Sequence, residues 1–405
     1  MRTMVRELAV EVYLFIFSIL FSIFKILPLQ NKLTFVVSFK ENNLAIYEEM
    51  QRANFSSKIV FLCTKRSYPS VKGKVDGSVY VFETLNVWHM ILSIYHLATS
   101  RNVIVDNYYG FLAAIRFKKA VECIQIWHAA GAIKTFGMKD NSIQFRSERA
   151  NRRFAKVYSQ FHKVVVGSDR FGDIFQEAFQ LPAENILPIG IPRTDFFFDK
   201  TKQVEIMDTF YKNYPQLRDK KIVLYAPTYR EDGMNQNLAI NIEEMYENLK
   251  EDHVLMIRLH PSVQMDLDMS KYQDFVYDFS KYPSINELLL VVDYLVTDYS
   301  SIPFEFSLLE KPMIFFPYDL DQYNEGRGLW ESYEKMVPGP IVQTTKEIAA
   351  TIKNNAFDME KVKEFRVKWN QYSNGHSSQN LVQYLSVANN AQRKTEVPVG
   401  QNISM

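Results

Sequence analysis

Several apolar runs in this 405-residue sequence end on residues able to do chemistry. His128 closes "ECIQIWH" and is followed by Ala129, Ala130 and Gly131. Thr228, Tyr229 and Arg230 follow "KIVLYAP", Arg258 and His260 close "VLMIRLH", and Asp298, Tyr299, Ser300 and Ser301 follow "DYLVT". A neutral imidazole near pH 7 takes a proton from a hydroxyl nucleophile. Small residues after it let a substrate's polar atoms come close to the backbone. Arg258 and His260, two apart, share one face of a strand and together hold a diphosphate. Ser300 or Ser301 caps a helix predicted to run to Glu310, with Pro303 in its first turn. Free N–H groups at that helix start attract a phosphate. Each feature also has a plain structural reading: a capped helix, a capping histidine, a solvated arginine. Their shared place at strand ends is what points to a site. His89, His96, His162 and His253 read as structural, and His376 in "NGHSSQN" is open.

The elements that position these residues alternate. Strands are predicted at 33–39, 58–63, 102–106, 122–128 and 163–168, with helices at 85–98 and 170–179 among them. A charged helical stretch at 199–220 then marks a boundary. Strands resume at 221–228, 254–260, 275–279, 293–298, 313–318 and 340–344, with a helix at 285–292 and another after Ser301. Continuous apolar strands between helices mean parallel sheets covered on both faces. The fold class is therefore α/β, with two Rossmann-like domains facing a cleft and ligands at the carboxyl ends of the strands. The expected segments are an apolar helix in 1–30, a first domain over 31–200, a second over 201–390, and a disordered tail over 391–405.

Composition narrows the function. The chain is 47% hydrophobic with a formal charge of +1, which argues against nucleic-acid binding. Cys63 and Cys123 sit in apolar runs and read as reduced core residues. There is no P-loop, no GxGxxG after a strand, no GxSxG elbow and no metal pair at ligand spacing, so neither a cofactor nor a metal is expected. Val12 to Phe24 is apolar but shorter than the ~20 residues that span a bilayer. Glu7, Glu11, Ser18, Ser22 and Lys25 form a narrow polar stripe on that helix. The favoured reading is a helix lying in a membrane interface with its stripe toward water; the other is a buried helix. "FRSERANRRFAKVY" places Arg146, Arg149, Arg153 and Lys156 near one helical face, suited either to an anionic lipid diphosphate or to plain solvent.

Taken in order, "WHAAGAIKTFG", "GIPRTD", "VLYAPTYR", "RLHPS", "TDYSSIPFEFSLLEKPMIFFPYDLDQY" and "PGPIV" resemble the CDP-glycerol glycerophosphotransferase family of teichoic acid synthesis, over about residues 100 to 345. "WHAAGAIK" looks more like the primases of that family, the TagB/TarB type, than its polymerases, which read Trp-His-Gly-Thr-Pro there. Thr194 stands where Asn is common and Glu305 where Asp is common. The resemblance implies a glycosyltransferase-B type fold. It also implies a peripheral enzyme on the cytoplasmic face of the bacterial cell membrane, either a monomer or a homo-oligomer. Its partners would be CDP-glycerol and an undecaprenyl-diphosphate-linked disaccharide, and CMP would be released. His128 would be the general base, and His260 with Arg258 would act at the donor's phosphates beside Ser300 and Ser301. Asp298, Glu305, Arg193, Thr228 and Arg230 would contact the substrate. A polymerase or ribitol-phosphate transferase of the same family, and a capsule glycosyltransferase, are the alternatives.

Overall fold

The computed structural model describes residues 2–230, 238–260, 263 and 270–396, with side chains over 7–388 of these. Pro261, which follows His260, lies outside the described residues, as do 397–405. The chain forms two compact units. The first comprises Met1–His128, Ile143–Asp195 and Tyr372–Met405, and the second Ala129–Ser142 and Phe196–Gln371.

The first unit is a seven-stranded parallel sheet of β1 (Gln30–Val37), β2 (Lys58–Cys63), β3 (Ser78–Val81), β4 (Ser100–Val105), β5 (Glu122–Gln125), β6 (Lys163–Val166) and β7 (Ile186–Pro188). Its order is β3-β2-β1-β4-β5-β6-β7. The central strands are buried along nearly their whole length, β4 at every position, because helices cover both faces; that is why they read as unbroken apolar runs. Sequence patterning misses β3 and β7. All four residues of β3 are only partly buried, and β7 is three residues ending in Pro188, so neither carries a strong apolar signal.

The second unit is a five-stranded parallel sheet of β8 (Lys221–Tyr225), β9 (His253–Ile257), β10 (Val276–Asp278), β11 (Tyr294–Thr297) and β12 (Met313–Phe315), in the order β10-β9-β8-β11-β12. Its core joins Leu255, Ile257, Val296 and Ile314 of the strands to Met245, Leu249, Ile348 and Ile352 of the covering helices. The strand expected at 340–344 is reduced to a single bridge between Phe315 and Ile341, since Pro338 and Pro340 offer no N–H to a ladder. The second unit ends at Gln371 rather than 390. The last helix, Ser377–Glu396, belongs to the first unit, where Asp195 accepts bonds from the N–H groups of Ser377 (2.9 Å) and Ser378 (2.7 Å). Its helical run to Glu396 takes in part of the stretch expected as tail.

The N-terminal helix spans Arg2–Phe24. Phe17 and Phe21 are buried, packed on Phe111 (5.3 Å between ring centroids) and Phe117 (5.9 Å). Burial of that size contributes about 1.5–3 kcal/mol per side chain. The opposite face leaves Leu8, Val12, Phe15, Ile16, Ile19 and Ile23 exposed, Phe15 by 67%. Its polar stripe does not face water throughout. Glu7 accepts a bond from the Ser147 hydroxyl (2.8 Å), Glu11 lies 3.6 Å from the Arg149 guanidinium, and Lys25 donates to the Arg116 carbonyl. The helix is thus anchored on one side and apolar to solvent on the other.

Candidate active site

In the first unit the site is built on His128. The strand expected to reach it stops at Gln125, and Ile126 makes one more bond to the Val105 carbonyl (2.9 Å). Trp127 then takes a left-handed conformation with φ 52°, a strained choice for a bulky side chain that only surrounding contacts can sustain. Those contacts are visible: the Gln125 side chain accepts from the Trp127 N–H (2.8 Å), while the Asn42 amide donates to the carbonyls of Ile126 (3.2 Å) and Trp127 (3.0 Å). The kink turns His128 out of the sheet.

The imidazole is held from several sides. Phe39 stacks on it at 4.3 Å and Trp127 at 4.4 Å. Nδ1 lies 3.0 Å from the Asp106 carbonyl oxygen. A carbonyl only accepts, so in the neutral ring Nδ1 carries the hydrogen and Nε2 is left with its lone pair. Burial pushes the pKa of His128 down to about 4, and the nearby Arg193 guanidinium adds to the fall against the bond to Asp106. The ring is therefore neutral at pH 7.

Asp106 is fully buried, and its carboxylate accepts from the backbone N–H groups of Ser38 and Phe39, the Asn43 amide and the Tyr109 hydroxyl. It ties the loop carrying Phe39 to the carbonyl that orients His128. Arg193 donates to the His128 carbonyl (2.8 Å), and its own N–H donates to Asn42 (2.9 Å). Arg193 thus braces the base loop. Thr194, its neighbour, bonds the Ile191 carbonyl within the same turn. Asn42, Asp106 and Phe39 escape sequence reading: Phe39 and Asp106 close the strands predicted at 33–39 and 102–106, but only the fold brings the three beside His128.

The small residues after His128 serve packing. The chain passes into the second unit between His128 and Ala129. Ala129 and Ala130 are buried, and a Cβ on Gly131 would lie 2.4 Å from the Phe304 ring. Gly131 is small because Phe304 occupies that space, which corrects the reading of a loop kept open for substrate.

In the second unit the expected residues divide. His260 is exposed and stacks on Tyr229 at 5.1 Å. Both line a pocket with Thr228, Leu238, Leu259 and Tyr318. The Thr228 hydroxyl is buried without a hydrogen-bond partner among the described residues. Arg258 turns to backbone, its Nη1 donating to the carbonyls of Phe279 and Tyr282 at 2.9 Å each. The expected side-by-side pair is thus an exposed histidine and a loop-bracing arginine.

Arg230 and Asp298 face each other inside the protein. Arg230 is 5% exposed and bonds Asp298 at 2.9 Å and Asp319 at 2.7 Å. The rings of Tyr299, Tyr318 and Tyr323 surround its guanidinium. Asp298 also accepts from the N–H groups of Thr228 (2.8 Å) and Tyr299 (2.6 Å). This buried network fixes the ends of β8 and β11, and Arg230 and Asp298 are its members rather than open contacts. Asp319 directly follows the strand predicted at 313–318, but its pairing with Arg230 shows only in the fold.

The helix expected to run to Glu310 is five α-helical residues, Ile302–Phe306, then a 3-10 turn to Leu309, with Glu310 left-handed at φ 51°. Ser301 precedes it without a side-chain cap, and the Ser300 hydroxyl accepts from the Ile302 N–H (3.2 Å). So short a helix has a weak dipole. Glu305 is buried within it. Among the described residues no cluster of metal-ligating side chains occurs.

Comparison with known proteins gives these features a family. Residues 19–386 match the family described as CDP-Glycerol:Poly(glycerophosphate) glycerophosphotransferase. The teichoic acid glycerol-phosphate primase of Bacillus subtilis (strain 168) is 35% identical over 382 residues, covering 94% of this chain and 98% of that one. The teichoic acid poly(ribitol-phosphate) polymerase of Bacillus spizizenii (strain ATCC 23059 / NRRL B-14472 / W23) is 33% identical over 86% of this chain, which spans 55% of that protein. The solved structure of the wall teichoic acid polymerase TagF is similar with a TM-score of 0.78 at 25% identity, covering 98% of both chains. The chain belongs to the CDP-glycerol:poly(glycerophosphate) glycerophosphotransferase family and is an enzyme of teichoic acid synthesis.

Proposed function

We propose that this chain transfers glycerol phosphate from CDP-glycerol to the terminal sugar hydroxyl of an undecaprenyl-diphosphate-linked disaccharide, N-acetylmannosaminyl-N-acetylglucosamine, and releases CMP. This is the priming step of a teichoic acid chain, run on a glycosyltransferase-B type architecture. The observation that carries it is the neutral His128, with Nδ1 committed to the Asp106 carbonyl and Nε2 left to accept a proton. The acceptor hydroxyl loses its proton to Nε2 as its oxygen attacks the phosphorus bearing glycerol. The bond from that phosphorus to the bridging oxygen breaks, and CMP departs with the electron pair. His260, with the Thr228 hydroxyl beside it, serves the donor's phosphates, and Arg258 fixes the loop behind them. A glycerol-phosphate primase is supported over a poly(glycerol phosphate) polymerase by 35% identity to the Bacillus subtilis primase against 28% to the Bacillus spizizenii polymerase, each over 94% of this chain.

The test is CMP release from CDP-glycerol with and without the lipid-linked disaccharide. Stimulation by that acceptor, with a product extended by one unit, is expected. Long products, turnover of CDP-ribitol in its place, or UDP release from a sugar nucleotide would replace this reading with a polymerase, a ribitol transferase or a glycosyltransferase. His260→Ala should weaken CDP-glycerol binding by about tenfold, as expected for one lost contact to phosphate, read by calorimetry.

The same proposal places the enzyme peripherally on the cytoplasmic face of the cell membrane. The exposed row Phe15, Ile16, Ile19 and Ile23 on a helix packed through Phe17 and Phe21 supports it. Replacing those four outward residues by glutamine should shift the protein from membrane to soluble fraction while its melting temperature holds. Removing residues 1–27 should instead lower that temperature, because Phe111 and Phe117 lose their cover. Full membrane retention by the four-residue variant would defeat the proposal.

A further inference from the structure

A groove of about 350 Å³ runs between the N-terminal helix and the basic helix Glu148–Tyr158. One wall is Glu11, Leu14, Phe15 and Ser18, the floor is Ala113 and Ala114, and the other wall is Arg149, Arg152, Arg153 and Lys156. Its two ends differ in chemistry. Glu11 lies 3.6 Å from Arg149 and 3.9 Å from Arg153, so a single carboxylate faces both guanidinium groups. Beyond it the lining turns apolar through Leu14, Phe15 and the two alanines, toward the exposed row that continues through Ile19 and Ile23. Arg146, grouped with these cations by sequence, turns away to stack on Phe154 at 4.5 Å and precedes the helix that Ser147 caps. Arg152, which that grouping omits, takes a place in the lining.

We propose that this groove binds the diphosphate and first hydrocarbon units of a long-chain lipid diphosphate. Guanidinium groups pair with phosphate oxygens in two-point contacts, and two arginines facing one carboxylate leave an excess of positive charge for a dianion. Alanines in the floor give room where the chain leaves the phosphates, and the apolar row of the N-terminal helix carries the chain onward. Glu11 is the resident counter-ion, displaced when the diphosphate arrives. The proposed function enters only in identifying that lipid with the acceptor; the ligand class itself follows from the groove.

The experiment compares partition of the full chain onto phosphatidylcholine vesicles carrying a polyprenyl diphosphate or phosphatidylglycerol at matched surface charge. Preference for the polyprenyl diphosphate by about tenfold is expected. The double variant Arg149→Gln, Arg153→Gln should lose that preference and keep the wild-type thermal transition. Glu11→Gln keeps both arginines and removes their competitor, so it should tighten binding several-fold. Equal partition onto both vesicles marks general surface electrostatics and overturns the proposal, as does a preference that survives the double variant. Unchanged or weaker binding by Glu11→Gln overturns it too. None of these readouts involves turnover: a chain that binds the lipid but releases no CMP would sink the proposed reaction alone.

Discussion

Replacing His128 by alanine lowers kcat by about 10²-fold or more, the scale of a lost general base, while CDP-glycerol affinity changes little. The split follows from position: His128 and all its described supports, Asp106, Asn42, Arg193, Phe39 and Trp127, lie in the first unit, whereas the residues assigned to the donor lie in the second. Single-turnover rates and calorimetry on the same variant check both halves. A wild-type rate would remove His128 from the chemistry. The pH dependence adds a second readout. With its pKa pushed down to about 4, the free enzyme should keep its active protonation state well below the value of about 6.5 for an ordinary imidazole. Stability moves with the same group. Its folded-state pKa lies below the unfolded one, so protons favour the unfolded chain. The contribution is complete above the unfolded value and is lost as pH falls through the interval toward about 4.

Arg230→Ala should destabilise the protein by about 3–5 kcal/mol, the range for removing one partner of a buried ion pair. The change strands Asp298 and Asp319, which are 2% and 10% exposed at their side chains, and opens the space that three tyrosine rings enclose. Arg230→Lys should recover part of the loss, because an ammonium keeps the charge and not the two-carboxylate fork. Denaturant titration measures both. A loss below about 1 kcal/mol would class the pair with exposed ones and contradict its burial. Added salt should change the wild-type value little, since ions screen buried pairs weakly.

The central strands of both sheets are legible in the sequence because helices on both faces demand apolar residues at nearly every position, as in β4 and β9. The edge strands β3 and β7 are not, having half-exposed or proline-containing runs. At the site the same division holds. His128, His260 and Thr228 stand just past strand ends, where a sequence reader looks. What holds them does not show: Asp106 and Asp319 also stand at the ends of predicted strands, yet only the fold brings them and Asn42 to their partners. The kink at Trp127 is equally hidden, since left-handed backbone at a tryptophan goes against its intrinsic preference. Arg230, Asp298 and Arg193 sit in recognisable motifs, yet the bonds they make are to the protein itself.

The chain passes from one unit to the other after His128, Ser142, Asp195 and Gln371. Exchange of genetic material between relatives is constrained by that threading. A crossover near residue 200 would not swap a whole unit: the piece 129–142 would stay with the old half, and Gly131 would meet a foreign residue in place of Phe304. The closing helix would travel with the new half and have to find its cap at Asp195. Viable hybrids should therefore inherit 129–142 together with 196–371, as two separate insertions from one parent. Laboratory recombination that ignores this pairing should yield mostly unfolded chimaeras.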